Sequence, residues 1–225
     1  MSNVPISMGD ALEGTGPSLR DRLANPRLRL LASGAVGASF WLVFAYANIR
    51  GSIDSHRVIG AGVGILGVWA AVLFLVRRPP TIVSGSLAVW AIAYFGTFGA
   101  SLLRPGGAGH GWEDVLGLGV QCLGVLLGAL GYVALGRSFG LVPAHRGLVT
   151  WGVYRLVRHP LYSSYVIAEL GYLIQSPSTW NVGVLLAAWT CQVLRLLSEE
   201  RLLSADPDYR AYCRRTPWRV LPGLW

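Results

Sequence analysis

Most of the residues that could do chemistry in this chain lie in its last third. The segment Arg158-His159-Pro160-Leu161-Tyr162 places a proline where its missing N–H would be unbonded anyway, at the first turn of a helix. Arg158 and His159 then stand at a helix mouth, where free backbone N–H groups and the helix dipole favour an anionic group. The same pair could also anchor the helix among lipid headgroups. Further on comes Arg195-x-x-x-Glu199-Glu200-Arg201. Arg195 and Glu199 share a helix face, which permits a surface ion pair. Paired acids at a helix C-terminus oppose the dipole, however, and such carboxylates could hold ribose hydroxyls or offset a positive ligand. The tail from Tyr209 and Tyr212 to Arg219 reads as a basic amphipathic segment lying on anionic headgroups, with room for the tyrosines to line a site. Tyr162, Tyr165 and Glu169, spaced by three and four, fall on one helix face, with Glu169 ~10 Å deeper than Tyr162. A charge at the centre of a bilayer costs ~2.5–3.5 kcal/mol on insertion scales, so Glu169 should face a cavity or a partner. It either recognises a ligand's polar or cationic end, together with Tyr165, or bonds a neighbouring helix for packing.

Composition sets the medium in which these residues sit. Only 13% of the 225 residues are charged and 53% are hydrophobic, with a mean hydropathy of +0.49. Soluble domains carry roughly 25% charged residues, and disordered chains are less hydrophobic still, so both classes are excluded. Three cysteines far apart in sequence write neither a disulfide framework nor a zinc cluster, and no metal site is expected. Gly62-Val63-Gly64-Ile65-Leu66-Gly67 fits a dinucleotide fingerprint, but it lies within an apolar helix and lacks the preceding strand.

Six membrane spans are expected: Leu30–Ile49, Val58–Val76, Thr81–Leu103, Val115–Gly136, Leu161–Gln175 and Trp180–Leu194. The last two are short and read as a tight hairpin broken at Pro177, with Arg195 and the acids just beyond it. The basic residues are all arginines. With both termini cytoplasmic, only Arg50, Arg57 and Arg104 fall in outside loops, so the +8 net charge reports topology, not nucleic acid. Gly60-x-x-x-Gly64 and Gly124-x-x-x-Gly128 should mark helix contacts. The expected fold is an all-α, polytopic membrane bundle of about six helices in the cell membrane. It divides into a cytoplasmic N-terminal tail (1–29, disordered over 1–17), a four-helix region (30–136) and a C-terminal region (137–225) of loop, helical hairpin and cytoplasmic tail.

The order of these elements resembles the isoprenylcysteine carboxyl methyltransferases, and the phospholipid N-methyltransferases are similar over the same region. The residues that carry the resemblance are Arg158-His159-Pro160-Leu161-Tyr162, Gly171, Pro177, Arg195, Glu199-Glu200, Leu203, Tyr209, Tyr212, Arg219 and Pro222, over roughly the last 80–90 positions. The resemblance implies a cytoplasmic pocket for S-adenosylmethionine and a lipophilic acceptor that enters from the bilayer, among membrane lipids and with no nucleic acid or metal as partner. It implies cofactor contacts from Gly152, Tyr154, Arg158, His159, Tyr162, Glu199, Glu200 and Tyr212, and catalytic roles for Arg158, Arg195 and Glu200. Either arginine could hold the carboxylate of the acceptor or of the cofactor. Acceptor contacts are assigned to Tyr165 and Glu169 from the helix face they share, since Glu169 has no counterpart in the isoprenylcysteine pattern. Methyl transfer needs two oriented reactants and no metal or covalent nucleophile, in keeping with the residue types present.

Other classes compete with this reading. Membrane sterol reductases share a similar C-terminal shape but bind a nicotinamide and are longer. A small transporter or scaffold would use Glu169 as an ion site, yet the polar residues gather at one membrane face and not at the midplane.

Overall fold

The computed structural model describes residues 26–55, 59–80, 82–83, 86–105, 111–141 and 144–225. The expectation of a disordered tail over 1–17 falls outside them. Helices occupy each of the six expected positions: α1 (Pro26–Ser55), α2 (Ile59–Val76), α3 (Leu87–Phe98), α4 (Trp112–Leu135), α5 (Pro160–Gln175) and α6 (Thr179–Leu203), followed by a short α7 (Pro207–Arg215). Four segments, Leu30–Asp54, Ile59–Val76, Trp112–Ser138 and Thr179–Leu203, are long and apolar enough to cross a membrane; α3 with its 3-10 extension is a shorter apolar helix over Leu87–Leu102. Large apolar side chains such as Val43, Ile65, Val72, Leu87 and Val115 point outward, as the surface of a bundle solvated by lipid requires. The fold is thus an all-α membrane bundle.

Three expectations need correction. The third span does not begin at Thr81: Ile82–Val83 (β1) pairs antiparallel with Ala144–His145 (β2), and the helix starts only at Leu87. Proline at 79 and 80 stops α2 from continuing across this stretch. The sixth helix does not end at Leu194 but at Leu203, so Arg195, Glu199 and Glu200 lie on helix and not beyond it. Nor is the α5–α6 hairpin tight. After the turn at Pro177, α5 packs along α4 while α6 packs along α3, and the two helices diverge.

Glycine decides those pairings. At Gly171 on α5 an added methyl would lie 2.7 Å from the Gln121 nitrogen and the Gly117 carbonyl of α4, and at Gly124 it would meet the Ala168 nitrogen at 2.6 Å. Helix backbones therefore touch along α4–α5, where Gln121 donates to Gln175 at 2.6 Å across the interface. Gly60 and Gly64 do the same for α2 against Asn48, Ala45 and Ile49 of α1. On α3, Gly96 receives α6, and its carbonyl accepts from Gln192 Nε2 at 2.9 Å. Both glycine pairs read as packing devices in the sequence are at helix contacts, and 62–67 lies inside α2 with no strand before it among the described residues.

One polar side chain ties the turn end of the bundle together. Ser178 caps α6 by accepting from the Asn181 N–H. Asn181, fully buried, exchanges two 2.9 Å hydrogen bonds with the Arg104 backbone beyond α3 and donates to the Ser176 carbonyl at 2.7 Å. At the opposite end, the rings of Trp41, Phe74, Tyr132 and Phe139 form a buried aromatic cluster between α1, α2, α4 and the loop after α4. This cluster floors the candidate site.

Candidate functional site

Pro160 starts α5, as its ring geometry favours, and His159 occupies the cap position before it. The backbone N–H groups of Arg158 and His159 do not point at an anion. They donate to the Trp218 and Arg219 carbonyls at 2.9 and 2.8 Å, so the C-terminal segment is strapped across the start of α5. The Ser163 hydroxyl adds a bond to the Val220 carbonyl.

Beneath the strap sits Glu200. Its Oε1 accepts from Arg158 Nε at 2.8 Å and lies 3.3 Å from His159 Nε2, while its Oε2 accepts from Arg219 Nε at 2.7 Å. The Tyr209 hydroxyl donates to Oε1 at 3.4 Å. Arg158 Nη1 is spent on the Thr216 and Pro217 carbonyls. A carboxylate so surrounded is a structural hub: it orients Arg158 and His159, both buried, and closes the strap through Arg219.

A cleft opens beside this hub, between α5, α6, α7 and the loop after α4. Of the residues given a site role in the sequence, Tyr154, Arg158, His159, Tyr162, Tyr165, Arg195, Glu199 and Tyr212 line it, as does Tyr209; Gly152, Glu169 and Glu200 do not. Gly152 adopts φ +61, a left-handed turn that favours glycine, and starts the 3-10 segment that delivers Tyr154. Tyr212, buried on α7, donates to the Tyr154 carbonyl at 2.6 Å. Burial pushes the phenols of Tyr154, Tyr209 and Tyr212 well above their usual range, so all three are neutral donors. On α6, Glu199 accepts from the Tyr162 hydroxyl at 3.1 Å. The surface ion pair with Arg195 that the spacing permits is not among the salt bridges described. Arg195 is buried instead, donating to Thr97 at 2.8 Å and to the Gly140 carbonyl at 3.4 Å, with its guanidinium 5.2 Å from the Tyr162 ring centre.

Two further residues shape the cleft without having stood out in the sequence. Arg146 is buried against Gly140, where any side chain would overlap its guanidinium. Burial pushes the Arg146 guanidinium down to about 10, Arg77 adds to that and Glu199 opposes it, so it remains a cation at neutral pH. The Nε atoms of Arg146 and Arg195 have no hydrogen-bond partner among the described residues. In sequence, Arg146 was one more arginine on the charge-rich side, and nothing local distinguishes a buried arginine from a topological one.

A second cavity, about 410 Å³ and largely apolar, runs between α1, α2, α3, α4 and α5. Its far end is bounded by Ser52, Ile59 and Pro105, and its near end by Trp41, Tyr132 and Tyr165. Trp41 and Tyr165 line both cavities. The helix face carrying Tyr162, Tyr165 and Glu169 passes from the cleft into this cavity, where Glu169 accepts from Trp189 Nε1 of α6. Among the described residues, no group of three or more His, Cys, Asp or Glu side chains is placed to hold a metal ion.

Residues 117–205 match the sequence model of the isoprenylcysteine carboxyl methyltransferase family. That range takes in α4, which the sequence motifs did not reach, and stops short of Tyr209, Tyr212, Arg219 and Pro222. The chain is similar to protein-S-isoprenylcysteine O-methyltransferases A and B of Arabidopsis thaliana. It is 31% identical to A over 46% of this chain and 55% of that protein, and 30% identical to B over 50% and 61%. It is also 32% identical to the cobalt-zinc-cadmium resistance protein CzcN of Cupriavidus metallidurans, over 68% of this chain and 61% of that one. The chain thus spans less than two thirds of the length of each of these relatives. A solved structure of the eukaryotic intramembrane Ras methyltransferase ICMT aligns at a TM-score of 0.46 and 20% identity, over 88% of this chain and 75% of that one.

Proposed function

We propose, from the match of residues 117–205 to the isoprenylcysteine carboxyl methyltransferase family model, that this protein is an integral membrane methyltransferase of that family. It uses S-adenosylmethionine from the cytoplasmic face and esterifies the carboxylate of a prenylated cysteine. The observation that carries the reading is the junction at Trp41 and Tyr165, where a cleft of buried arginines, tyrosines and Glu199 abuts an apolar cavity inside the bundle. One reactant is polar and the other lipophilic, and the two cavities match that division.

The cleft residues fit the cofactor chemically. Buried guanidinium N–H groups without partners, on Arg146 and Arg195, suit a carboxylate. Glu199 suits ribose hydroxyls or an ammonium, and the faces of Tyr154, Tyr162 and Tyr212 suit a sulfonium or adenine ring. The cleft encloses about 100 Å³, below the ~300–1,000 Å³ typical of small-molecule sites, so part of the cofactor occupies its open mouth or widens it. The bundle cavity falls within that range.

Bound S-adenosylmethionine would supply a sulfonium methyl group, which an acceptor oxygen would attack in line as the C–S bond breaks and the thioether leaves. An ionised carboxylate needs no base for this step, so the protein's contribution is orientation, which can supply ~7–11 kcal/mol of the barrier. Arg195 is the guanidinium best placed to hold the acceptor carboxylate, since Arg158 is committed to Glu200 and the strap. Glu169 would accept from the acceptor's amide or amino N–H, and the apolar wall beyond it would take the prenyl chain.

The test is calorimetry of the detergent-purified protein with S-adenosylhomocysteine and, separately, a reduced nicotinamide. Binding of the first alone is expected; binding of the nicotinamide, or of neither, overturns the reading. Transfer of labelled methyl from the cofactor to N-acetyl-S-farnesylcysteine then tests the acceptor. Gly140→Ala drives the Arg146 guanidinium out of the cleft and should weaken S-adenosylhomocysteine about 10- to 150-fold, the loss of one charge-assisted hydrogen bond. Glu169→Gln keeps the Trp189 bond but removes the charge. It should leave S-adenosylhomocysteine affinity unchanged and lower acceptor turnover, as steady-state kinetics would show.

A further inference from the structure

Trp41 belongs to α1, upstream of the segment that matches the family, and it was not among the residues whose type or spacing suggested chemistry. It is only 4% exposed. Its ring is wedged against Phe44, Phe98 and Phe139, at centroid distances of 5.7, 5.1 and 6.1 Å. Buried indole N–H groups ordinarily find a hydrogen-bond partner. The Trp41 Nε1 has none among the described residues, although Trp41 lines both the polar cleft and the apolar cavity. Trp189, half-buried, follows the rule and donates to Glu169.

Packing alone does not call for this side chain. A phenylalanine would fill an aromatic cluster already rich in phenylalanine and would bring no unsatisfied donor. Across the cleft stands a second donor in the same condition, the Nε of Arg195. Both unpartnered donors belong to residues that line the cleft, and Trp41 lines the apolar cavity as well. A carboxylate, with two oxygens and lone pairs to spare, satisfies both; a protonated amine, which has donors and no acceptor, satisfies neither.

We propose that the Trp41 Nε1–H is a positioning donor for the methyl acceptor: it binds one carboxylate oxygen at the junction of the two cavities and so selects carboxylates over amines. This rests on the methyltransferase reading above. One oxygen is held by Trp41 and Arg195, and the other is left to attack the methyl group. No proton changes hands, and the products are the ester and the thioether.

The probe is N-acetyl-S-farnesylcysteine, with its methyl ester and S-farnesyl-cysteamine as carboxylate-free controls. Binding is measured in detergent with saturating S-adenosylhomocysteine. Benzothienylalanine at position 41, introduced by suppression, swaps the N–H for sulfur and keeps the ring; Trp41→Phe is the encoded counterpart. Both should bind the carboxylate about 10- to 150-fold more weakly than wild type, with a raised KM, a smaller change in kcat and unaltered S-adenosylhomocysteine affinity. Both should bind the two controls as wild type does. Equal carboxylate affinity in wild type and the benzothienyl variant overturns the assignment, as does failure of the wild type to bind the carboxylate. Binding by the wild type without methyl transfer overturns the methyltransferase reading and leaves the Trp41 assignment to stand or fall on the variants.

Discussion

Glu200→Gln is expected to abolish S-adenosylhomocysteine binding and to destabilise the protein by ~3–5 kcal/mol, the usual cost of stripping one partner from a buried ion pair. The carboxylate is 13% exposed and is met by Arg158, His159 and Arg219. An amide offers one oxygen to donors that now use two, and turns its own N–H groups toward a guanidinium. Arg158 would be left as a buried cation, held only by the Thr216 and Pro217 carbonyls. Because Glu200 does not line the cleft, the loss of binding comes from movement of Arg158 and His159, which do. Adding Arg219→Gln should recover part of the stability, since one cation fewer then lacks a partner, and a coupling of ~0.5–3 kcal/mol is expected. Thermal unfolding in detergent reads both effects. A Glu200→Gln protein with wild-type melting and wild-type binding would refute the hub.

Arg195→Lys should lower kcat/KM about 10- to 150-fold although the charge is formally kept. The guanidinium spans Thr97 on α3, the Gly140 carbonyl and the Tyr162 ring, a reach that needs a planar fork. An ammonium at the same depth can meet one of these and carries no second N–H in the place of Nε. The variant separates roles. A rise in KM for the acceptor with S-adenosylhomocysteine affinity kept places the acceptor carboxylate on Arg195, whereas loss of S-adenosylhomocysteine affinity places the cofactor's carboxylate there. Wild-type kinetics would remove Arg195 from the site altogether.

These two residues also show where sequence reasoning reached and where it stopped. The helices were legible because an apolar run of membrane-spanning length is a local property, and Thr81–Leu103 failed at its start because β1 (Ile82–Val83) needs a partner at Ala144–His145. Tyr162, Tyr165 and Glu169 were legible as a face because helical spacing alone aligns them. Arg195 was singled out for a catalytic role, but its burial was not legible, since that depends on α3 and on the Gly140 loop packing over α6. Glu200 was identified, but as a ligand contact; its partners at 158, 159 and 219 converge only in the folded bundle. Trp41, Gly140 and Arg146 gave no local signal whatever. An indole without a partner is a property of the fold, not of the sequence.

The strap over α5 separates the order of the bundle from the order of its site. Thr216, Pro217 and Arg219 lie outside α1–α7, so no helix supplies them. Without them Arg158 has none of its carbonyl acceptors and Glu200 has only part of its counter-charge. Each apolar helix carries its own hydropathy, whereas the hub closes only through a contact between residues 58 positions apart. A bilayer can align the helices, but a few residues outside them hold the buried arginine still.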